Sequence, residues 1–175
     1  MTPNMLLAPS IKEHVRRLAS FPHREGALRP LNVLLIGVDE GIEGWSEDYP
    51  TDILFTVSDK DVDGASCVKA QDSAFPFVDN SFDAVVIQGA WIAQYEEGFR
   101  VLKPNGCMLV YENVSHAVKG CELLSDGDSG AVNSAFFYLS AMPEAMVLKQ
   151  LVVMPAPENT QAGCAPFILV GTKEG

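Results

Sequence analysis

Short apolar runs alternate with segments of helical periodicity along most of the chain. Residues 32–37, 53–57, 84–87 and 108–111 have the length and composition of buried strands, and residues 66–70 form a weaker one. Apolar residues recur at helical spacing over residues 11–20, over 92–102 and around 132–139. Two β-rich runs, residues 146–154 and 167–171, close the chain on either side of a Pro/Gly/Asn loop and predict a hairpin.

This order of elements predicts an α/β fold. Strands and helices that alternate along a chain form a doubly wound, mostly parallel sheet with helices on both faces. The last two strands add a C-terminal antiparallel hairpin. Neither a repeat nor a linker divides the sequence, so we expect one domain over residues 1–175, with an N-terminal helix and loop over residues 1–30 and a core over residues 31–174.

Composition narrows the classes of partner. Hydrophobic residues make up 47% of the chain and charged residues 20%, the usual range for a globular protein. No apolar run reaches the roughly 18 residues of a membrane span, and the N-terminus does not resemble a signal peptide, so we expect a cytoplasmic protein without a membrane partner. The net charge of −11 argues against a nucleic-acid partner and favours a basic protein.

The cysteines and histidines do not form a metal-binding pattern. Cys67, Cys107, Cys121 and Cys164 are widely spread and form no CxxC pair, and of the histidines only His116, five residues before Cys121, lies near one of them. We therefore expect reduced, mostly buried thiols and no metal site. The motifs of nicotinamide sites, P-loops, zinc proteases and serine hydrolases are absent as well, so no catalytic residue is assigned.

Two sequence blocks carry a resemblance to a known family. Residues 72–86, DSAFPFVDNSFDAVV, are similar to the segment around strand four of class I S-adenosylmethionine (SAM) methyltransferases. Residues 99–110, FRVLKPNGCMLV, are similar to the helix, turn and fifth strand that follow in that family. The resemblance covers residues 31–174 and implies the class I methyltransferase fold, with SAM lying across the carboxyl ends of the strands.

The same resemblance implies a set of cofactor-binding residues. In the glycine-rich turn after the first strand, Gly37 and Gly41 match the family's first and last glycines, and Asp39 stands at the middle one. Asp59 is placed like the acid that holds the ribose, and Asp72 like the acid that holds the adenine amine. If SAM is bound, we expect these five residues to contact it.

Other features of this half of the chain argue against a cofactor. Leu35 stands where the family has an acid in the first strand, and Asp39 puts a side chain where backbone should approach the ligand. The interval between Asp59 and Asp72 is too short for a strand and a helix of about ten residues, and residues 42–52 make a poor helix. We therefore expect no cofactor, with SAM as the ligand only if the domain is active.

The shortened cofactor half resembles a narrower group, the N-terminal methyltransferase-like domain of the anamorsin family of cytosolic iron–sulfur assembly factors. A cysteine directly after the turn glycine, Gly106-Cys107, and the closing hairpin are similar too, whereas the iron–sulfur cysteine motifs of that family are absent. This resemblance implies a non-catalytic domain that binds a protein partner in cytosolic iron–sulfur cluster assembly. The alternative is a small active SAM-dependent methyltransferase, with Glu112 at the end of the fifth strand as a candidate base.

Overall fold

The computed structural model describes residue 15 and residues 30–38, 44–57, 64–68, 74–88, 92–112, 135–153 and 167–175. Within these residues the strands are β1 (Asn32–Ile36), β2 (Ile53–Val57), β3 (Ala65–Val68), β4 (Phe82–Gln88), β5 (Leu102–Glu112), β6 (Met146–Val153) and β7 (Phe167–Lys173). The helices are α1 (Trp45–Asp48), α2 (Ile92–Val101) and α3 (Ala135–Ser140). The predicted helix at residues 11–20 lies outside the described residues except for Val15, which is helical and buried.

The described strands form one sheet in the order β3-β2-β1-β4-β5-β7-β6. Neighbouring strands from β3 to β5 are parallel, and β7 runs antiparallel to both β5 and β6. The structure therefore confirms the predicted fold class, a mostly parallel α/β sheet with a C-terminal antiparallel hairpin. From β1 the chain continues to β2 and β3 on one side of the sheet, and from β4 it continues to β5 on the other side. The direction in which strands are added therefore reverses between β1 and β4.

The central strands are apolar because both of their faces are covered. All seven residues of β4 are buried. Alternate residues of β1 enter two cores: Leu34 and Ile36 face one, and Val33 and Leu35 face the other. Helix α2 covers the first face, where Gly98 has no side chain to hold the helix away from the β1 and β4 side chains below it.

The turn predicted at residues 103–106 is part of β5, which corrects the sequence-based boundary. Strand β5 begins directly after α2, and its register with β4 shifts between two pairs, Phe82 with Leu102 and Ala84 with Cys107. Asn105 has a φ of 62°, in the left-handed region that asparagine tolerates better than most residues. The turn residues thus form an irregularity within the strand and do not precede it.

A charged pair on α2 fixes the segment that leads into β4. The Arg100 guanidinium donates to Glu97 Oε1 and Oε2 at 2.7 and 2.8 Å, to Asp79 Oδ1 at 2.6 Å, and to the carbonyl oxygens of Phe75 and Phe77. Glu97 also accepts from the Phe75 N–H. The bonds from Arg100 hold the pKa of the Glu97 carboxyl below its usual value.

Candidate functional site

The carboxyl ends of β1 and β4 define the candidate site. In open α/β sheets, ligands bind outside the carboxyl ends of the strands at the point where the winding reverses. Ile36 pairs with Ile87, so Gly37 and Gln88 come next on these two adjacent strands. Tyr111, near the end of β5, lies opposite Gln88. These three are among the described residues at the place where a cofactor would be expected.

Gly37 brings three strand ends together. Its φ is 65°, and its N–H donates to the carbonyl oxygen of Val57 at the end of β2, with an N···O distance of 3.3 Å. A Cβ at this position would collide with the carbonyl oxygen of Gln88. Glycine is therefore required here by the packing of the strand ends, whether or not a ligand binds. Of the predicted cofactor residues, Gly37 is described and lies at the expected edge, whereas Asp39, Gly41, Asp59 and Asp72 lie outside the described residues.

Gln88 and Tyr111 form a buried polar pair that the sequence analysis missed. The Tyr111 hydroxyl donates to Gln88 Oε1, with an O···O distance of 2.9 Å, and both side chains are buried. A buried amide needs a partner, and the register between β4 and β5 supplies it. The available signal was a glutamine directly after the apolar run at residues 84–87, because a polar side chain there lies at the carboxyl edge of the sheet.

Leu35, which the resemblance places at the position of the family's strand-one acid, is part of the core. Its side chain is fully buried in an apolar cluster, between Thr56 on β2 and Val86 on β4. The neighbouring Thr56 hydroxyl is buried without a hydrogen-bond partner in the described part of the chain. The Leu35 side chain is apolar and close-packed and so cannot itself hold a polar group of a cofactor.

The helix that follows β1 is reduced to one turn and lies at the other end of the sheet. In α1, the indole N–H of Trp45 donates to Asp52 Oδ2, and Asp52 Oδ1 accepts from the Leu31 N–H, both at 3.0 Å. Leu31 and Asp52 precede β1 and β2, so α1 packs against the amino ends of these strands. The four residues of α1 agree with the expectation that residues 42–52 make a poor helix.

The connection between β2 and β3 is also short. Residues 58–64 join these two parallel neighbours, whereas such a crossover usually takes about a dozen residues or more. This length leaves no room for the full helix that the family carries there, as the sequence analysis expected.

Three aromatic side chains pack together near the carboxyl ends of the strands, on the face of the sheet that helix α2 covers. The rings of Tyr95 on α2 and Tyr138 on α3 are 5.4 Å apart, and Tyr138 is 5.8 Å from Phe167, which pairs with the last residue of β5. The Tyr95 hydroxyl is buried without a hydrogen-bond partner among the described residues. Burial raises the pKa of Tyr95 to about 12, so this side chain stays neutral at physiological pH.

The described thiols and charges form no metal centre. Cys107 is buried in β5, and burial raises its pKa to about 12, which makes it unreactive. In the described part of the chain, no three His, Cys, Asp or Glu side chains are grouped so that they could hold a metal ion. Cys121 and Cys164 lie outside that part. None of the helices in the described ranges is both long and apolar enough to cross a membrane.

No protein-family model matches the sequence, and no curated protein matches it. Solved structures do match the fold. The chain is similar to the N-methyltransferase NodS from Bradyrhizobium japonicum, with a TM-score of 0.60 and 11% identity over 94% of each chain. It is also similar to geranyl diphosphate C-methyltransferase from Streptomyces coelicolor, with a TM-score of 0.64 and 11% identity over 98% of this chain and 80% of that one.

A third similar structure is a complex. A chain of the complex between the Haloferax volcanii Trm112 methyltransferase activator and a methyltransferase matches this chain with a TM-score of 0.59 and 13% identity. The match covers 99% of this chain and 96% of the chain in the complex. At these identities the likeness shows the fold alone, because one fold hosts many functions. The chain thus has the fold of class I SAM-dependent methyltransferases.

Proposed function

We propose that the chain is a degenerate methyltransferase-fold domain that acts as a protein-interaction module and not by transferring methyl groups. The observation that carries this proposal is Leu35, a buried apolar side chain at the position of the family's acid, in the strand that leads to Gly37. A cofactor with charged and polar groups is held by polar partners, and the Leu35 side chain cannot be one.

Two further features of the candidate site support the loss of cofactor binding. Gln88 and Tyr111 bond to each other at the edge where a ligand would lie. Helix α1 is one turn long and packs at the amino ends of the strands, so it presents no helix N-terminus to that edge. The polar groups of Gln88 and Tyr111 bond to each other and the residues of α1 pack against the amino ends of the strands, so both features stabilise the fold and do not provide contacts for a cofactor.

The partner that we propose is a basic protein in the cytoplasm. The net charge of −11 favours a basic surface, since opposite charges attract over distances near the Debye length. The resemblance to the anamorsin family supports cytosolic iron–sulfur cluster assembly as the setting. Depleting the protein from cells should then lower the activity of cytosolic iron–sulfur enzymes while an iron-independent cytosolic enzyme is unaffected, and unchanged activities would contradict this setting.

The alternative is an active SAM-dependent methyltransferase. Gly37, at the reversal point of the sheet, is compatible with it, although strand packing requires this glycine in either case. The alternative is favoured by the fold, since the similar Streptomyces coelicolor enzyme was solved with S-adenosyl-L-homocysteine.

Thermal unfolding with SAM and with S-adenosylhomocysteine distinguishes the two functions. A ligand present at about 100 times its Kd stabilises a folded protein by about 2.7 kcal/mol, which for a domain of this size is a rise in Tm of roughly 5–10 °C. We expect no shift at about millimolar ligand, with methionine as the non-nucleoside control. A shift with SAM but not with methionine, followed by transfer of a labelled methyl group to any acceptor, would replace our proposal with the alternative.

A further inference from the structure

The two edge strands of the sheet differ in length and in how much backbone they leave available for pairing. The edge strand β3 has four residues and is short, which is one way in which proteins protect an edge from pairing with other chains. The other edge strand, β6, has eight residues, and no described strand pairs with its outer side. Its backbone N–H and C=O groups on that side are a template for one more strand.

The second half of β6 exposes apolar side chains on both faces of the sheet. Leu151, Val152 and Val153 are 37%, 41% and 53% exposed, and neighbouring positions of a strand point to opposite faces. Their partners on β7 are covered: Phe167 and Leu169 are buried and Ile168 is partly buried. A solvated edge would normally carry polar side chains here, so the exposed group indicates a surface for a partner.

The middle of β6 restricts how a partner can pair. The register between β6 and β7 shifts between Leu148 and Gln150, at Lys149, which is exposed. A bulge and a lysine are devices that keep an edge strand from indiscriminate pairing. Among the described residues, the stretch of β6 open to pairing is therefore the segment from Gln150 to Val153. It ends at the carboxyl edge of the sheet, because β6 runs antiparallel to β7 and hence parallel to β5.

Charge indicates which kind of chain fits. Glu144 and Glu174 are exposed at the start of β6, where the Glu174 N–H donates to the Ala145 carbonyl oxygen at 2.7 Å. Lys149 is the basic residue of the strand, against a net charge of −11 for the whole chain. A second copy of this chain would bring together two molecules of the same net charge, whereas a basic partner would be attracted.

We propose that the outer edge of β6 binds an extended segment of a basic protein as an added strand. This proposal deepens the proposed interaction function and rests on it. Backbone hydrogen bonds to residues 150–153 would supply the pairing, and apolar side chains of the segment would cover Leu151, Val152 and Val153. Basic residues that continue the segment past Lys149 towards Ala145 would face Glu144 and Glu174.

The probe is a synthetic extended peptide in which valine and threonine alternate and lysine and arginine flank both ends, compared with a peptide of the same length and charge that contains proline in place of the valines. Titration is followed by amide hydrogen exchange and by NMR shifts of the intact chain. We expect the first peptide to slow exchange at residues 150–153 by about tenfold or more at saturation, to bind more weakly as salt is raised, and the proline peptide to do neither.

The matched variants are the double substitutions Leu151→Lys/Val153→Lys and Ile53→Lys/Val78→Lys. Both add two positive charges at exposed apolar positions, since Ile53 and Val78 are 51% and 76% exposed and lie away from β6. Binding should fall at least tenfold in the first variant and no more than about twofold in the second, with both variants folded by circular dichroism. Equal losses in the two variants, or no slowing of exchange in β6, would overturn the proposal.

Sedimentation of the chain alone tests whether a second copy of the chain binds at the outer edge of β6. A dimer that grows stronger with salt and is abolished by Leu151→Lys/Val153→Lys would assign the edge to a second copy and overturn our proposal. A monomer is the expected result. Failure of the proposed interaction function can be distinguished from failure of peptide binding at β6. SAM binding and methyl transfer test the former, are measured without the peptide and do not depend on β6.

Discussion

At the scale of single residues, Gly37 is the position where the candidate site depends most on backbone geometry. It combines a φ of 65° with a carbonyl oxygen, that of Gln88, in the space of a side chain. We expect Gly37→Ala to lower the free energy of unfolding by about 2 kcal/mol or more, because alanine adds left-handed strain and a collision with backbone that cannot rotate away. Urea unfolding measures this loss.

Gly64 is the matched control for Gly37. It also has a positive φ, of 80°, but an added Cβ would meet the end of the Ser46 side chain, which can move. Gly64→Ala should therefore cost only the left-handed strain, about 1 kcal/mol. Equal losses for the two variants would show that the contact of Gly37 with the end of β4 contributes nothing.

A second prediction at this scale concerns alkaline pH. The pKa of Cys107 is raised from 9.0 to about 12 by burial. The unfolded chain releases this proton near pH 9 and the folded chain does not, so the stability due to Cys107 is complete below pH 9 and is lost as pH rises towards 12. The free energy of unfolding should fall by up to roughly 1.4 kcal/mol per pH unit more in the wild type than in Cys107→Ala. Parallel slopes above pH 9 would contradict the buried, neutral thiol.

At the scale of elements, Lys173 on β7 ties the C-terminal hairpin to α2. Its ammonium donates to the carbonyl oxygens of Phe99 and Leu102 at 3.1 and 2.8 Å and to Asn80 Oδ1 at 2.9 Å. These carbonyls lie at the C-terminal end of α2, where backbone acceptors lack partners within the helix. Lys173→Met should lower the free energy of unfolding by about 1–3 kcal/mol.

Lys149→Met is the control for the Lys173 prediction. It makes the same chemical change on the same hairpin, at an exposed position of β6. We expect a change of no more than about 0.5 kcal/mol. Thermal unfolding of both variants tests the difference, and a comparable loss in Lys149→Met would mean that Lys173 acts only through general charge.

Elements could be predicted where burial alone decides them. The bounds of β2 are those of its apolar run, and β1 differs from its run by one residue, because most positions of these strands are buried and apolar. The start of β5 could not be predicted, because Pro104-Asn105-Gly106 reads as a turn and its place in the strand depends on pairing with β4.

The same distinction applies to the candidate site. Gly37 was recognisable because it follows an apolar strand, whereas the pair of Gln88 and Tyr111 depends on the register of strands that are far apart in sequence. Gly44, Pro50 and the acids between them indicated that α1 would be short. Its position at the amino ends of the strands depends instead on the hydrogen bonds of Asp52 with Trp45 and Leu31, which the sequence does not show. Sequence indicates which residues are buried more readily than which residues meet.

At the scale of the whole molecule, an excess of 23 acidic over 12 basic residues should make stability depend on ionic strength. A net charge of −11 repels itself in the compact state, and salt screens this repulsion. Raising NaCl from about 20 mM to about 300 mM at neutral pH should therefore raise Tm by roughly 2–4 °C.

Near pH 4.5, the sequence pI, the net charge is close to zero and the same addition of salt should leave Tm nearly unchanged. Differential scanning calorimetry at the two pH values measures both effects. A Tm that does not respond to salt at neutral pH would mean that the acidic side chains in excess of the basic ones are too far apart for their repulsion to affect stability. Salt screens the attraction of a basic partner as well as the self-repulsion, so the stability should rise with salt while the proposed binding weakens.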